Sequence, residues 1–401
     1  MMINRAYRYE LAPNNQQRTG LLRHAGTARF AYNWGLEQRN RLYRERHGNE
    51  RFTSAIEQHR EVNKLKKTEF PWMYDVSKCA PQEALRDLEQ AFKNFFRRLK
   101  NGDEKVGFPK FKKKGIHDSF RLTGTIKFIG RTIQLPRLGR IRIKEKRECY
   151  HGGRILSATV SRRADRWFVS VAVVEEIEVP LNHGPAIGVD LGIKSLAVTS
   201  DGDTFPNPKA LSSRLRKLRR LSRQLSRKKK GSKNRGKARL RLARLYLRTY
   251  NIRQDTLHKL TTHLVKNHNQ IVIEDLNVSG MMKNHCIAKA ISDVGFYEFR
   301  RQLEYKSSWY GSELILAPRF FPSSKRCSRC GHVKAELSLS ERTYICEECG
   351  LVIDRDQNAA NNLVAVSWTE TENACGEDVR LDTNPPRFAK SSLDESGTEH
   401  H

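Results

Sequence analysis

The chain has 401 residues, with 75 Lys+Arg against 44 Asp+Glu, a formal net charge of +31 and 38% hydrophobic residues. That length excludes a single small module, and the charge far exceeds the magnitude of ~2–8 that keeps a small domain soluble, so a polyanionic partner, nucleic acid first, is expected. There is no run of ~18 apolar residues, and MMINRAYRYELAP lacks the apolar centre of a signal peptide; a soluble, cytosolic protein with no membrane partner is expected.

Tyr7–Leu11 reads as a short strand, the first piece of a β-rich module, closed by Pro13. From Gln16 the pattern turns helical, with Leu21, Ala25, Ala28, Tyr32 and Leu36 at spacings of three and four. A second helix is expected over Pro81–Lys100, where Leu85, Leu88, Phe92, Phe95, Phe96 and Leu99 form one face and Arg86, Lys93, Arg97 and Lys100 the other. Residues 14–102 are thus a helical domain. From 103 to 180 the period becomes two, as in Ile133/Leu135, Ile141/Ile143 and Trp167/Val169/Val171/Val173, which gives a β-rich module.

Pro180 to Pro185 reads as a linker. A new domain, 186–320, opens with AIGVDLGIKSLAVTSDG, two apolar strands around a Gly-containing turn. Residues 211–250 then hold 17 Lys/Arg and no acid. Leu211, Leu215, Leu218, Leu221 and Leu225 mark a packed seam, so this segment predicts two basic helices broken at KKKGSKNRGK. Arg216, Arg219, Arg220 and Arg223 lie off the seam and are candidates to face phosphate. A further helix with Ile252, Leu257, Leu260 and Leu264 leads to the strand QIVIED, and a helix with Phe296, Phe299 and Leu303 leads to the strand ELILA. DRDQNAANNLVAV suits a closing helix over 353–368, and the apolar-poor tail 369–401 is expected to be disordered.

Eight cysteines occur. Cys327 and Cys330 in CSRC, with Cys346 and Cys349 in CEEC, follow the spacing of a structural zinc site, which predicts one Zn²⁺ held within 321–352. Cys79, Cys149, Cys286 and Cys375 read as ordinary buried or tail residues.

A basic protein that cuts phosphodiesters needs carboxylates, because two divalent cations ~3.5–4 Å apart must be held beside the phosphate. Asp190 ends the strand AIGV, Glu274 and Asp275 end QIVI, and Asp354 and Asp356 stand where the last helix opens. A strand-end acid, a hairpin, helices, a second strand-end acid and a late helix acid follow the order of an RNase H-like nuclease core. Strand-end acids are also ordinary turn residues, and Asp354 or Asp356 can equally be a helix N-cap.

GVDLGIK, IVIEDLNVSGM, FPSSKRCSRCGHVK, YICEECG and DRDQNAANNL together resemble, in order and spacing, the TnpB family of transposon-encoded nucleases, and AFKNFFRRLK and GFPKFKKK resemble its N-terminal half. The resemblance covers about residues 1–368. It implies an α+β multidomain protein: a helical recognition lobe, a β-barrel wedge domain that takes residues 1–13 as its first strand, and a RuvC-type RNase H-like α/β core with an inserted zinc ribbon. The implied activity is guide-RNA-directed, Mg²⁺-dependent cleavage of double-stranded DNA beside a short adjacent motif, by a monomer bound to its RNA and associated with the nucleoid when on DNA. Motif by motif, the two catalytic Mg²⁺ fall to Asp190, Glu274 and Asp356, with Asp275 and Asp354 as non-catalytic neighbours. Looser similarity around SKCAPQEAL assigns Lys78 and Gln82 to the adjacent motif. The rival readings are a catalytically silent RNA-guided DNA-binding regulator and a transposase that joins strands with the same acids.

Overall fold

A computed structural model describes residues 1–45, 53–103, 106–145, 152–338 and 340–372, the last six by backbone alone. The chain divides into two compact units: Met1–Asn182 with Pro208–His263 and Val278–Gly311, and His183–Asn207 with Leu264–Asn277 and Ser312–His401. The expected 186–320 domain is therefore shared between them, and its basic helices group with the N-terminal half.

In the first unit, β1 (Met2–Leu11) precedes α1 (Asn15–Glu45), whose Leu21, Ala25, Ala28, Tyr32 and Leu36 are all buried as their spacing requires. The strand starts five residues before the expected Tyr7. α2 (Ala55–Leu65) opens on a capping box in which Ser54 Oγ accepts the Glu57 N–H and the Glu57 carboxylate accepts the Ser54 N–H. After a 3₁₀ turn at Pro71–Asp75 comes α3 (Cys79–Lys100). Leu85, Leu88 and Phe92 are buried, but Phe96 and Leu99 are 45% and 51% exposed, so the apolar stripe outruns the core beneath it.

β2 (Ser119–Leu122), β3 (Lys127–Ile129), β4 (Thr132–Leu135), β5 (Gly139–Arg142), β6 (Arg154–Arg163) and β7 (Arg166–Glu176) follow. They form a four-stranded sheet, β1-β7-β6-β2, and a three-stranded one, β3-β4-β5. β1 pairs antiparallel with β7 along its whole length, from Met2 opposite Glu176 to Leu11 opposite Trp167. The sheets meet where Leu11 bridges Ile143, and they share one core with α1 and α3. The expected module thus consists of two sheets around a common apolar centre, with alternation putting Val169, Val171 and Val173 inside.

The second unit is built on β8 (Ile187–Leu191), β9 (Ser195–Thr199) and β10 (Thr204–Pro206). In the first unit, α4 (Leu215–Ser226) and α5 (from Lys233) are the two basic helices, broken where expected. α5 runs on unbroken to Asn267, so the separate helix expected around Ile252–Leu264 is its second half; nothing between them stops a helix, since Tyr250 and Asn251 are tolerated within one. The leucine seam is thinner than expected: Leu211 precedes α4, and of the five only Leu218 is fully buried.

β11 (Gln270–Glu274), the short helices α6 (Val278–Met281) and α7 (Ala288–Val294), α8 (Phe296–Tyr310) and β12 (Glu313–Ala317) follow. The second unit's sheet has the order β10-β9-β8-β11-β12, with β8, β11 and β12 parallel and β9 and β10 antiparallel. Its central strands read as unbroken apolar runs because both faces are covered. β13 (Thr343–Ile345) and β14 (Val352–Asp354) pair, and α9 (Arg355–Glu372) packs on the sheet. That helix passes the expected start of the tail at 369; residues 373–401, and Cys149 and Cys375, lie outside the described residues. No helix among the described residues is long and apolar enough to cross a membrane.

Candidate active site and metal centre

In the parallel pair β8/β11, Val272 stands beside Gly188 and Ile273 beside Val189. Side chains alternate along a strand, so Val272 and Glu274 share one face of the sheet with Gly188 and Asp190. That face lies under α9: Val272 packs with Leu363 and Val366, and a Cβ on Gly188 would sit 2.1 Å from the Ala360 carbonyl oxygen. The carboxyl ends of neighbouring strands thus place Asp190 and Glu274 on the face covered by α9, whose first turn holds Asp356.

Asp354 caps that helix, its Oδ1 accepting the N–H groups of Asp356 at 2.9 Å and Gln357 at 3.2 Å. Asp356 is then a first-turn residue, where the helix dipole favours a carboxylate. Gln357 Nε2 donates to the Thr199 and Ser200 carbonyls and fixes the same turn against the end of β9. Asp275 turns to Arg319, which donates to its Oδ2 from Nε at 3.0 Å and from a terminal nitrogen at 2.5 Å.

Asp190 is recessed. Burial, then the Glu274 carboxylate, then Asp356 push it up to about 8, against the pull of Arg355. Asp190 therefore feels both other carboxylates, a repulsion of the kind a divalent cation relieves, though the three acids do not bring ligand atoms all within 4.8 Å of one another. Three residues not singled out from the sequence complete the surroundings. Ser323 Oγ donates to Glu274 Oε1 at 2.5 Å. Asn358 and Asn362, buried at i,i+4 on α9, bind the loop ahead of the cysteines: Asn358 Nδ2 donates to the Arg326 carbonyl at 2.7 Å and Asn362 Nδ2 to the Ser323 carbonyl at 2.8 Å. The readable signal was the run of four amides, Gln357, Asn358, Asn361 and Asn362, set among the alanines of DRDQNAANNL.

The cysteine quartet is the one group among the described residues with three or more His, Cys, Asp or Glu ligand atoms all within 4.8 Å. Cys327 and Cys349 sulfurs are 3.6 Å apart and Cys330 and Cys346 sulfurs 3.5 Å, close to the tetrahedral edge of about 3.8 Å that Zn–S bonds of ≈ 2.3 Å imply. Each pair sits on the same turn: Gly331 N–H reaches the Cys327 carbonyl and Gly350 N–H that of Cys346, and each glycine has positive φ, 79° and 68°. Against burial, the N–H groups of Cys330 and Arg329 hold the Cys327 thiol down at about 6. Against the pull of the His332 N–H, burial and the three neighbouring sulfurs push Cys330 up to about 12. Four thiolates can coexist there only around a cation, so the donor set fits zinc. Tyr344 lies buried beside them, its OH donating to the Lys325 carbonyl.

A family profile described as "Probable transposase" (OrfB of IS605) matches residues 168–285, one described as "Cas12f1-like, TNB domain" matches 296–363, and one described as "Helix-turn-helix domain" matches 1–48. A Streptomyces pristinaespiralis protein named "Putative RNA-guided DNA endonuclease" is 38% identical over 397 residues, covering 98% of this chain and 96% of the relative. The Escherichia coli K12 protein "Putative RNA-guided DNA endonuclease InsQ" is 35% identical over 393 residues, covering 94% of each. A "TnpB-like protein" of Acanthamoeba polyphaga mimivirus is 31% identical over 148 residues, 35% of this chain and 27% of the relative. The chain belongs to the TnpB family. A solved Cas12f1–sgRNA–target DNA complex aligns with a TM-score of 0.36 at 15% identity, covering 90% of this chain and 99% of that one. In this TnpB-family chain the segment matched as helix-turn-helix is a strand followed by one long helix, β1 and α1, as far as Glu45.

Arg216, Arg219, Arg220 and Arg223 are all exposed on α4. Lys78, exposed at the start of α3, lines an open cleft of about 810 Å³ with Lys66, Lys67, Thr123, Gln134 and Arg137, whereas Gln82, one turn on, is half-buried and outside that lining.

Proposed function

We propose that this protein is an RNA-guided DNA endonuclease whose cleavage centre is Asp190, Glu274 and Asp356. The observation that carries the reading is the β8/β11 register, which sets Asp190 and Glu274 on the face covered by the helix whose first turn holds Asp356. Strand order, one antiparallel neighbour and acids at the carboxyl strand ends support a RuvC-type, RNase H-like core. On this reading the helices within 14–102 form the recognition lobe, the two N-terminal sheets the wedge barrel, and 321–352 the zinc ribbon.

The three carboxylates would hold two Mg²⁺, which when bound supply an activated water and offset charge on the scissile phosphate. The Ser323 hydroxyl holds one oxygen of Glu274 and fixes that carboxylate's rotamer. Asp354 and Gln357 fix the first turn of α9 and with it Asp356. The cysteine quartet, through zinc, stiffens the ribbon that Asn358 and Asn362 tie to the same helix.

The partners on this reading are one guide RNA and a target duplex, held mainly through phosphate by a chain of charge +31. Exposed α4 arginines suit the RNA backbone, and the cleft with Lys78 suits the adjacent motif, whereas Gln82 lies outside its lining. The test is a supercoiled plasmid bearing the target, given to the protein with its co-purifying RNA and Mg²⁺. Breaks that vanish in Asp190→Ala while RNA binding persists are expected. Binding without product would indicate a silent regulator, and joined ends a strand transferase.

A further inference from the structure

Phe320 is the most exposed of the large apolar side chains among the described residues, at 92%. Single exposed apolar residues are ordinary, but this one stands on an anchored turn. On one side Arg319 is locked to Asp275, the residue after Glu274. On the other, Phe321 packs its ring against the core formed by Val272, Ile315, Ala317, Leu363 and Val366, and its N–H reaches the Pro318 carbonyl at 2.9 Å. Two residues further, Ser323 donates to Glu274 itself, while its carbonyl accepts from Asn362. The turn is thus tied at both ends to the strand end that carries Glu274, and it presents the Phe320 ring to solvent.

We propose that Phe320 is a stacking platform for a nucleobase of the DNA strand being cut, a substrate-positioning residue of the endonuclease read above and dependent on that reading. An aromatic face stacks on any base, so it serves an enzyme whose sequence choice is made by a guide rather than by protein contacts. Seating one base beside Glu274 fixes the phosphate next to it, which is where a misplacement of ~1 Å is costly. The exposed Arg326 and Arg329 on the segment that follows supply cations for the strand's backbone.

The test uses the full chain loaded with its guide RNA. Under single-turnover conditions Phe320→Ala is expected to cut roughly 5- to 160-fold more slowly, the span of one base–aromatic stack. Phe320→Leu, apolar but without an aromatic face, is expected to be as slow, and Phe320→Trp to cut near the wild-type rate. Affinity for the guide RNA and the melting temperature should not change in any of them. The second readout needs no cleavage: in an Asp190→Asn background, 2-aminopurine is scanned along both target strands, and its quenching at one position should be lost when Phe320→Ala is added. Wild-type cutting by Phe320→Ala or Phe320→Leu, or quenching indifferent to Phe320, would overturn the proposal. A wild-type chain that yields no breaks would sink the endonuclease reading instead, and the fluorescence comparison would still decide the stacking.

Discussion

Gly188 of β8 lies against the Ala360 carbonyl of α9 so closely that a Cβ built on the glycine would fall 2.1 Å from that oxygen and 2.6 Å from the Val364 nitrogen. Both atoms are backbone, which cannot swing aside as a flexible side chain would. Gly188→Ala should therefore push α9 off the sheet, costing about 3 kcal/mol or more by overpacking, and should lower both the melting temperature and cutting. A Gly188→Ala protein that melts with the wild type would show that α9 does not dock as described.

Ser323 is buried and holds Glu274. Ser323→Ala keeps the volume but frees the carboxylate, so single-turnover cleavage should fall about 10-fold, roughly the ~1.4 kcal/mol of a charge-assisted hydrogen bond. Guide-RNA affinity should stay unchanged. Equal cutting rates would remove Ser323 from the site.

Zinc should be needed at a distance. Cys346→Ser removes one of four ligands, and since Asn358 and Asn362 couple the ribbon to α9, the first turn bearing Asp356 loosens with it. The expected outcome is a protein with little bound zinc and slow cleavage even at saturating Mg²⁺. Metal analysis paired with a cleavage time course checks both.

Lys306 of α8 is buried and donates to the His258 carbonyl and to the Thr261 and Thr262 hydroxyls. Burial pushes its ammonium from 10.5 down to about 8. The unfolded chain therefore binds the proton more tightly, and between about pH 8 and 10.5 stability gains as pH rises, the deficit being full below pH 8. Melting temperatures from pH 7.5 to 10 should rise in the wild type relative to Lys306→Met; parallel curves would refute the shift.

The α4 arginines should show themselves in salt dependence. Replacing Arg216, Arg219, Arg220 and Arg223 with Gln should weaken RNA binding and flatten the slope of log affinity against log salt by about 3, at ~0.7 for each phosphate no longer neutralised. An unchanged slope would place the RNA elsewhere.

Much of this was legible in the chain because it is local. The cysteine quartet needs two turns of four residues each, and CxxC with a following glycine is complete within its own segment. The apolar runs of β8 and β11, the period of α1 and the alternation of β7 likewise express burial one element at a time. The acids were visible as strand ends and a helix start. The resemblance named them together, but the register that sets Asp190 beside Glu274 was not visible, because the pairing of β8 with β11 joins residues more than 80 positions apart, and a one-residue slip would have turned Glu274 to the opposite face and Asp275 toward α9.

The sequence by itself determined the charge, the two cysteine knuckles and the identity and order of most elements, since each follows from neighbours along the chain. Only the tertiary structure decided that Asp354 caps while Asp356 takes the first turn of α9, that Asp275 belongs to Arg319, that α5 is one helix, and that Phe96 and Leu99 outrun the core. Those outcomes depend on which distant surface arrives first against a given face, and no spacing within a segment encodes that.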